Sequence, residues 1–147
     1  MPEKNEHTAY VTFSISAPDL DPDEISALLV DVTPTHTHHQ GDMPQASPRS
    51  SAAPSPYKHG MWSLRSGLPP DEPLEAHLEQ LLSTLEVHQP EIKSLSAKNR
   101  VYFGCDLFGP IGLDLSADTL TRMGSLGATF GVTVYPDYGG SELGSES

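Results

Sequence analysis

The chain has 147 residues, 14 of them proline, and carries 20 Asp and Glu against 8 Lys and Arg, a formal net charge of -12. That length suits one domain with a substantial core, while the acidic excess disfavours nucleic-acid backbones and anionic membranes and favours solubility or a basic partner. The single cysteine, Cys105, excludes an internal disulfide and fits a reducing compartment, and no apolar stretch is long enough for a signal or a membrane span, so the expectation is a cytoplasmic protein.

Residues 1–8 are charged and are expected to fray. Tyr10 to Ser16 alternates, with Val11, Phe13 and Ile15 on one face and Tyr10, Thr12, Ser14 and Ser16 on the other, which predicts a strand buried on one side. Asp21, Pro22 and Glu24 then have the spacing of a capped helix start with a capping box, and Ile25, Leu28 and Leu29 form its apolar stripe. Thr33-Pro34 ends that helix. From Thr35 to Pro56 there is little apolar periodicity, and the density of Pro and Ser predicts a mobile loop.

Tyr57 to Ser66 reads as a second strand with Trp62 and Leu64 on one side. After Pro69-Pro70 a second helix is marked by Leu74, Leu78, Leu81, Leu82 and Leu85, an i, i+4, i+7, i+8, i+11 stripe that Pro90 interrupts. Arg100 to Phe108 is a third strand with Val101, Phe103, Cys105 and Leu107 inward. Ser116 caps a third helix with Leu120, Met123 and Leu126 as its stripe, and Gly127 stops it. Thr129 to Tyr135 is a fourth strand with Phe130, Val132 and Val134 inside, and residues 138–147 form a flexible tail.

Residues 20–29 and 115–124 resemble each other at a constant offset, and each opens a capped helix after a strand. This pattern predicts an α+β domain over residues 9–137. Its expected form is a ferredoxin-like duplication of β-α-β units, a four-stranded antiparallel sheet with an extra helix between the halves and the first and third strands innermost.

Several side-chain groups invite a functional reading. His36, His38 and His39 have ligand chemistry for zinc or nickel, with Asp42 and His59 nearby, but they lack the spacing of a zinc motif. Asp19, Asp21, Asp23 and Glu24 have the chemistry for calcium or acid-base work, yet capping and the helix dipole account for Asp21, Asp23 and Glu24. Cys105 lies at an inward strand position, where a thiol is ordinarily inert. Tyr10, Tyr102 and Tyr135 on the polar sheet face are candidate partner contacts, as are Trp62 and Arg65 in a separate aromatic-basic cluster with Tyr57 and Lys58, although the alternation of Trp62 with Leu64 fits the core better. Lys58 and Arg65 could also meet an anionic ligand. No phosphate-binding glycine loop, nucleophile elbow, CxxC or HExxH occurs, so neither an enzyme nor a cofactor is expected.

Tyr10–Ser16, Leu20–Leu29, Pro34-Thr35 with Gly41-Asp42, Trp62-Ser63-Leu64, the leucine helix, Leu126-Gly127-Ala128 and Val134-Tyr135-Pro136 together resemble the bacterial family called domain of unknown function 4279. The resemblance spans about residues 9–136 and implies a small bacterial cytoplasmic domain, with no established activity, cofactor or catalytic residue. The stretch His36-Thr37-His38-His39-Gln40 before Gly41-Asp42 departs from the basic or aromatic residue that the family tends to place there. Two expectations remain. One is a non-enzymatic acidic module, of the immunity or accessory kind, that binds a basic protein and no nucleic acid or membrane, with a dimer open. The other is a small-molecule or metal-binding module with the His36–His59 loop as its lid.

Overall fold

A computed structural model describes residues 8–44, 55–109 and 113–135. The elements run β1 (Thr8–Ala17), α1 (Pro22–Leu28), β2 (His36–His38), β3 (Gly60–Arg65), α2 (Leu74–Leu85), a 3-10 turn (Glu86–His88), α3 (Gln89–Leu95), β4 (Arg100–Phe108), α4 (Ala117–Ser125) and β5 (Thr129–Tyr135). The strands form one sheet in the order β2-β3-β1-β4-β5. The first four strands are antiparallel to their neighbours, and β5 joins β4 in parallel.

The α+β class and the inner position of the first and third strands expected from the sequence are present. The four-stranded antiparallel duplication is not: the sheet has five strands and is mixed. The added strand is β2, inside the segment expected to be a mobile loop. It pairs with β3 from His36 opposite Ser63 to His38 opposite Met61, and Gly41 and Asp42 continue the pairing through backbone bonds to Tyr57. The expected loop residues 45–54, and the termini at 1–7 and 136–147, lie outside the described residues.

The connections explain why one sheet face is covered and the other open. From the strand pairings, β1 and β2 point the same way with β3 between them, β3 and β4 point the other way with β1 between them, and β4 and β5 are parallel neighbours. Right-handed crossovers over these three parallel pairs place every intervening helix on the same face. The core is accordingly single-sided. Val11, Phe13 and Ile15 of β1, Trp62 of β3 and Val101, Phe103, Cys105 and Leu107 of β4 are buried with Ile25, Met123, Leu126, Ile92 and all five stripe leucines of α2. Phe13 packs at 5.0 Å from Phe103 and edge-on to Trp62 at 6.2 Å.

Local signals explain the helix ends. Asp21 Oδ1 accepts from the Asp23 N–H at 3.0 Å, and Ser116 Oγ accepts from the Thr119 N–H at 3.1 Å. The stripes of the two outer helices are narrower than expected. Leu28 and Leu120 are exposed, and Thr119 takes the inward place in α4. Val134, expected inside, is 48% exposed because β5 is an edge strand that α4 covers only in part.

Candidate functional site

The open face is built by the residues that alternate with the core. The register aligns Tyr10, Thr12, Ser14 and Ser16 of β1 with Asp106, Gly104, Tyr102 and Arg100 of β4, and with Arg65, Ser63 and Met61 of β3. His36 and His38 extend this face onto β2. Gly131, Thr133 and Tyr135 extend it onto β5.

Two adjoining cavities occupy it. The first, about 460 Å³, lies at the end of the sheet where β1 finishes and β4 begins. It is lined by Ser16, His38, Lys58, His59, Lys98 and Arg100, with Tyr57 and Met61 among its walls. The second, about 380 Å³, continues along the sheet over Ser14, Thr12, Tyr102, Gly104, Asp106 and Thr133. Ser16, Met61 and Arg100 line both, so the two form one groove.

Arg100 is held in place. Its guanidinium stacks over the Tyr102 ring at 4.1 Å, and that ring lies flat on the sheet because Gly104 and Gly131 beneath it have no side chains. A Cβ at Gly131 would collide with the Tyr102 hydroxyl and ring. The other wall is fixed by His38, whose ring stacks on Tyr57 at 3.4 Å between centroids and 3° between planes. Burial and the nearby His36 hold the His38 ring below the usual histidine range, so near neutral pH it is an uncharged hydrogen-bonding group.

The charge of this face is opposite to that of the chain. Among the described residues, Lys58, Arg65, Lys98 and Arg100 border it, and none of the four makes a salt bridge. Arg122, by contrast, is engaged on the helix side by Glu79 at 2.6 Å and Glu86 at 2.8 Å. Among the described residues, Asp106 is the one acidic residue that lines the groove.

The other sequence candidates fall as follows. His36, His38 and His39 do not converge. The Nε2 of His36 is 2.9 Å from Nδ1 of His38, whereas strand alternation turns His39 away, to 3.3 Å from Asp21 and 3.6 Å from Asp42. The three-histidine ligand set is therefore split. His39 does come within ligand distance of Asp21 and Asp23, but those carboxylates are exposed or half-buried, and Asp21 already serves as the helix cap. Tyr10, Tyr102 and Tyr135 share the open face as expected, and Arg65 joins them, over the Tyr10 ring at 5.5 Å, with Tyr135 stacked on Phe108 at 4.3 Å. Trp62 does not share it. It alternates with Met61 onto the core face, is fully buried, and donates its indole N–H to Ser26 Oγ at 3.1 Å, so it is a core residue and not a partner contact.

Cys105 is buried, and desolvation pushes its thiol up to about 12, so it carries no thiolate at neutral pH. Ser66 and His77, unremarked in the sequence, meet at 2.7 Å between Oγ and Nδ1. Ser66 Oγ also accepts from the Leu68 N–H at 3.2 Å, so the pair ties the end of β3 to α2. The sequence reading missed Arg100 and Lys98 as site residues. The available signal was Arg100 two positions before an outward Tyr102, with glycine at 104 on the same face.

No helix among the described residues is long and apolar enough to cross a membrane. No curated protein and no solved structure matches the chain. The family model described as a domain of unknown function, DUF4279, matches residues 6–137, and the chain belongs to that family.

Proposed function

We propose that this domain is a non-enzymatic binding module that takes a small anionic ligand on the open face of its sheet. The observation that carries this reading is the gathering of Lys58, Lys98 and a stacked Arg100 in one groove of a chain with a net charge of -12. A planar guanidinium held by an aromatic ring presents paired N–H donors to a carboxylate or phosphate with little rotamer freedom left to lose. The lysines add flexible point charges, and the Ser16 hydroxyl and the His38 and His59 rings add hydrogen-bonding groups at the same cavity. The cavity volume lies in the range of small-molecule sites. The strongest intrinsic nucleophile near the groove, Cys105, is buried and protonated, which favours binding over covalent chemistry.

Calorimetric titration with inorganic phosphate and with citrate tests this. The wild type is expected to bind at least one of them saturably, and Arg100→Ala to weaken that binding about tenfold or more, as for loss of a charge-assisted hydrogen-bond pair. Binding of neither anion, or binding that Arg100→Ala leaves unchanged, would overturn the reading.

The net charge favours a second reading, a contact between the acidic helix layer and a basic protein. Asp23 and Glu24 in the first turn of α1 are exposed and suited to it. Glu75 and Glu79 are less so. Glu75 accepts from the Ser116 N–H at 2.7 Å, Glu79 binds Arg122, and these bonds hold both carboxyls below the usual range.

A further inference from the structure

We infer, resting on the anion-site reading, that the ligand is an anionic polyol, a sugar phosphate or sugar acid, lying along the groove from Arg100 to Asp106. The two cavities are chemically unlike. The first concentrates positive charge. The second presents the hydroxyls of Thr12, Ser14 and Thr133 and ends in the Asp106 carboxylate, beside the Tyr102 ring that lies on the paired glycines 104 and 131. A carboxylate is acceptor-only, and hydroxyls both donate and accept. Such a lining can hydrogen-bond the hydroxyl groups of a ligand body, while Met61 and the Tyr102 ring meet its carbon skeleton.

The spacing bounds the ligand's reach. The Arg100 guanidinium lies over the Tyr102 ring, which reaches toward Gly104 and Gly131, so its charge sits between the levels of residues 102 and 104, two to four strand positions from Asp106. That is about 7–13 Å along the sheet, within the span of a phosphorylated or carboxylated hexose with a hydrogen bond at each end. Asp106 is exposed, and among the described residues it makes no ion pair, so its acceptor capacity faces the groove. Inorganic phosphate or acetate bound at Arg100 does not reach Asp106; a sugar derivative anchored there does.

Calorimetry with four probes tests this: inorganic phosphate against glucose 6-phosphate, and acetate against gluconate. The polyol of at least one pair is expected to bind about tenfold tighter than its head group alone, the gain from one hydrogen bond to a charged acceptor. Which pair shows the gain identifies the anion. Asp106→Asn is expected to erase the gain and leave head-group affinity unchanged. Equal affinity within both pairs overturns the inference while leaving the anion site standing, as does a gain that survives both Asp106→Asn and Thr133→Val. Failure of both head groups and both polyols to bind overturns the two readings together.

Discussion

At Gly131 an added methyl would meet the hydroxyl end of Tyr102, a side chain free to swing outward. At Gly60 it would meet the backbone carbonyl of Leu20, which the capped start of α1 holds in place. The same substitution should therefore act in opposite ways. Gly131→Ala is expected to leave thermal stability nearly unchanged but to displace Tyr102 and unseat Arg100, with a several-fold loss of phosphate affinity by calorimetry. Gly60→Ala is expected to cost about 2 kcal/mol or more in denaturant unfolding, since a backbone clash forces a main-chain shift. An unchanged phosphate affinity in Gly131→Ala would separate Arg100's position from the Tyr102 platform. His38 has its own signature. Its folded value lies below the free value because burial and His36 disfavour the imidazolium. Below about pH 6.5 the unfolded chain therefore takes up a proton that the folded chain resists. The His38 contribution is thus fully present above that pH and is lost as pH falls. His38→Gln should flatten the decline in stability between about pH 7 and pH 5, as followed by urea unfolding. An identical slope in the variant would refute the assignment.

The elements divide into those that their residues specify locally and those that depend on neighbours. The leucine helix belongs to the first kind: Leu74, Leu78, Leu81, Leu82 and Leu85 are all buried as the stripe requires. It roofs β1 and receives α4 through Arg122. Leu82→Ala is expected to cost about 3 kcal/mol in chemical denaturation, the usual range for a fully buried leucine in a helix; a cost below about 1 kcal/mol would show that α2 is not part of the main core. The alternation of β1 and β4 was equally legible, because one face of each is wholly apolar. What was not legible was β2. Three residues, two of them histidine, cannot display a period, and their strand identity comes from pairing with β3. That omission mis-set the topology. Without β2, the repeat at 20–29 and 115–124 reads as two equivalent units. With it, the first helix crosses to a strand two places away and the second to an adjacent one. The groove was hidden for the same reason. Lys58 lies far from Lys98 and Arg100 in sequence, and β3 and the start of β4 bring them to one end of the sheet.

Across the whole molecule the charges separate by face. The helix layer carries most of the described acids, several of them engaged internally, while among the described residues the open sheet face carries four bases without a salt bridge and Asp106. An approaching anion therefore feels two fields of opposite sign. At a distance it meets the net charge of -12; inside the groove it meets Arg100 and the lysines within a few ångströms. Salt acts on these unequally. The Debye length is about 30 Å at 0.01 M ionic strength and about 8 Å at 0.15 M, so moderate salt removes the far repulsion before it weakens the near attraction. A site on a uniformly basic protein would lose anion affinity steadily as salt is added. Here affinity for inorganic phosphate is expected to hold level or rise between 0.01 and 0.15 M sodium chloride, and to fall only beyond that. Replacing Lys58 and Lys98 together with Gln should lower the whole curve without changing its shape, because the far field is set by the rest of the chain. A steep, monotonic decline from the lowest salt would mean that the groove's own charge governs at every distance. The acidic body would then have no part in tuning what reaches the sheet. A level or rising limb would instead give the acidic excess a specific role, holding off anions that the groove does not seat while leaving bound ligand in contact with the few bases kept unpaired for it.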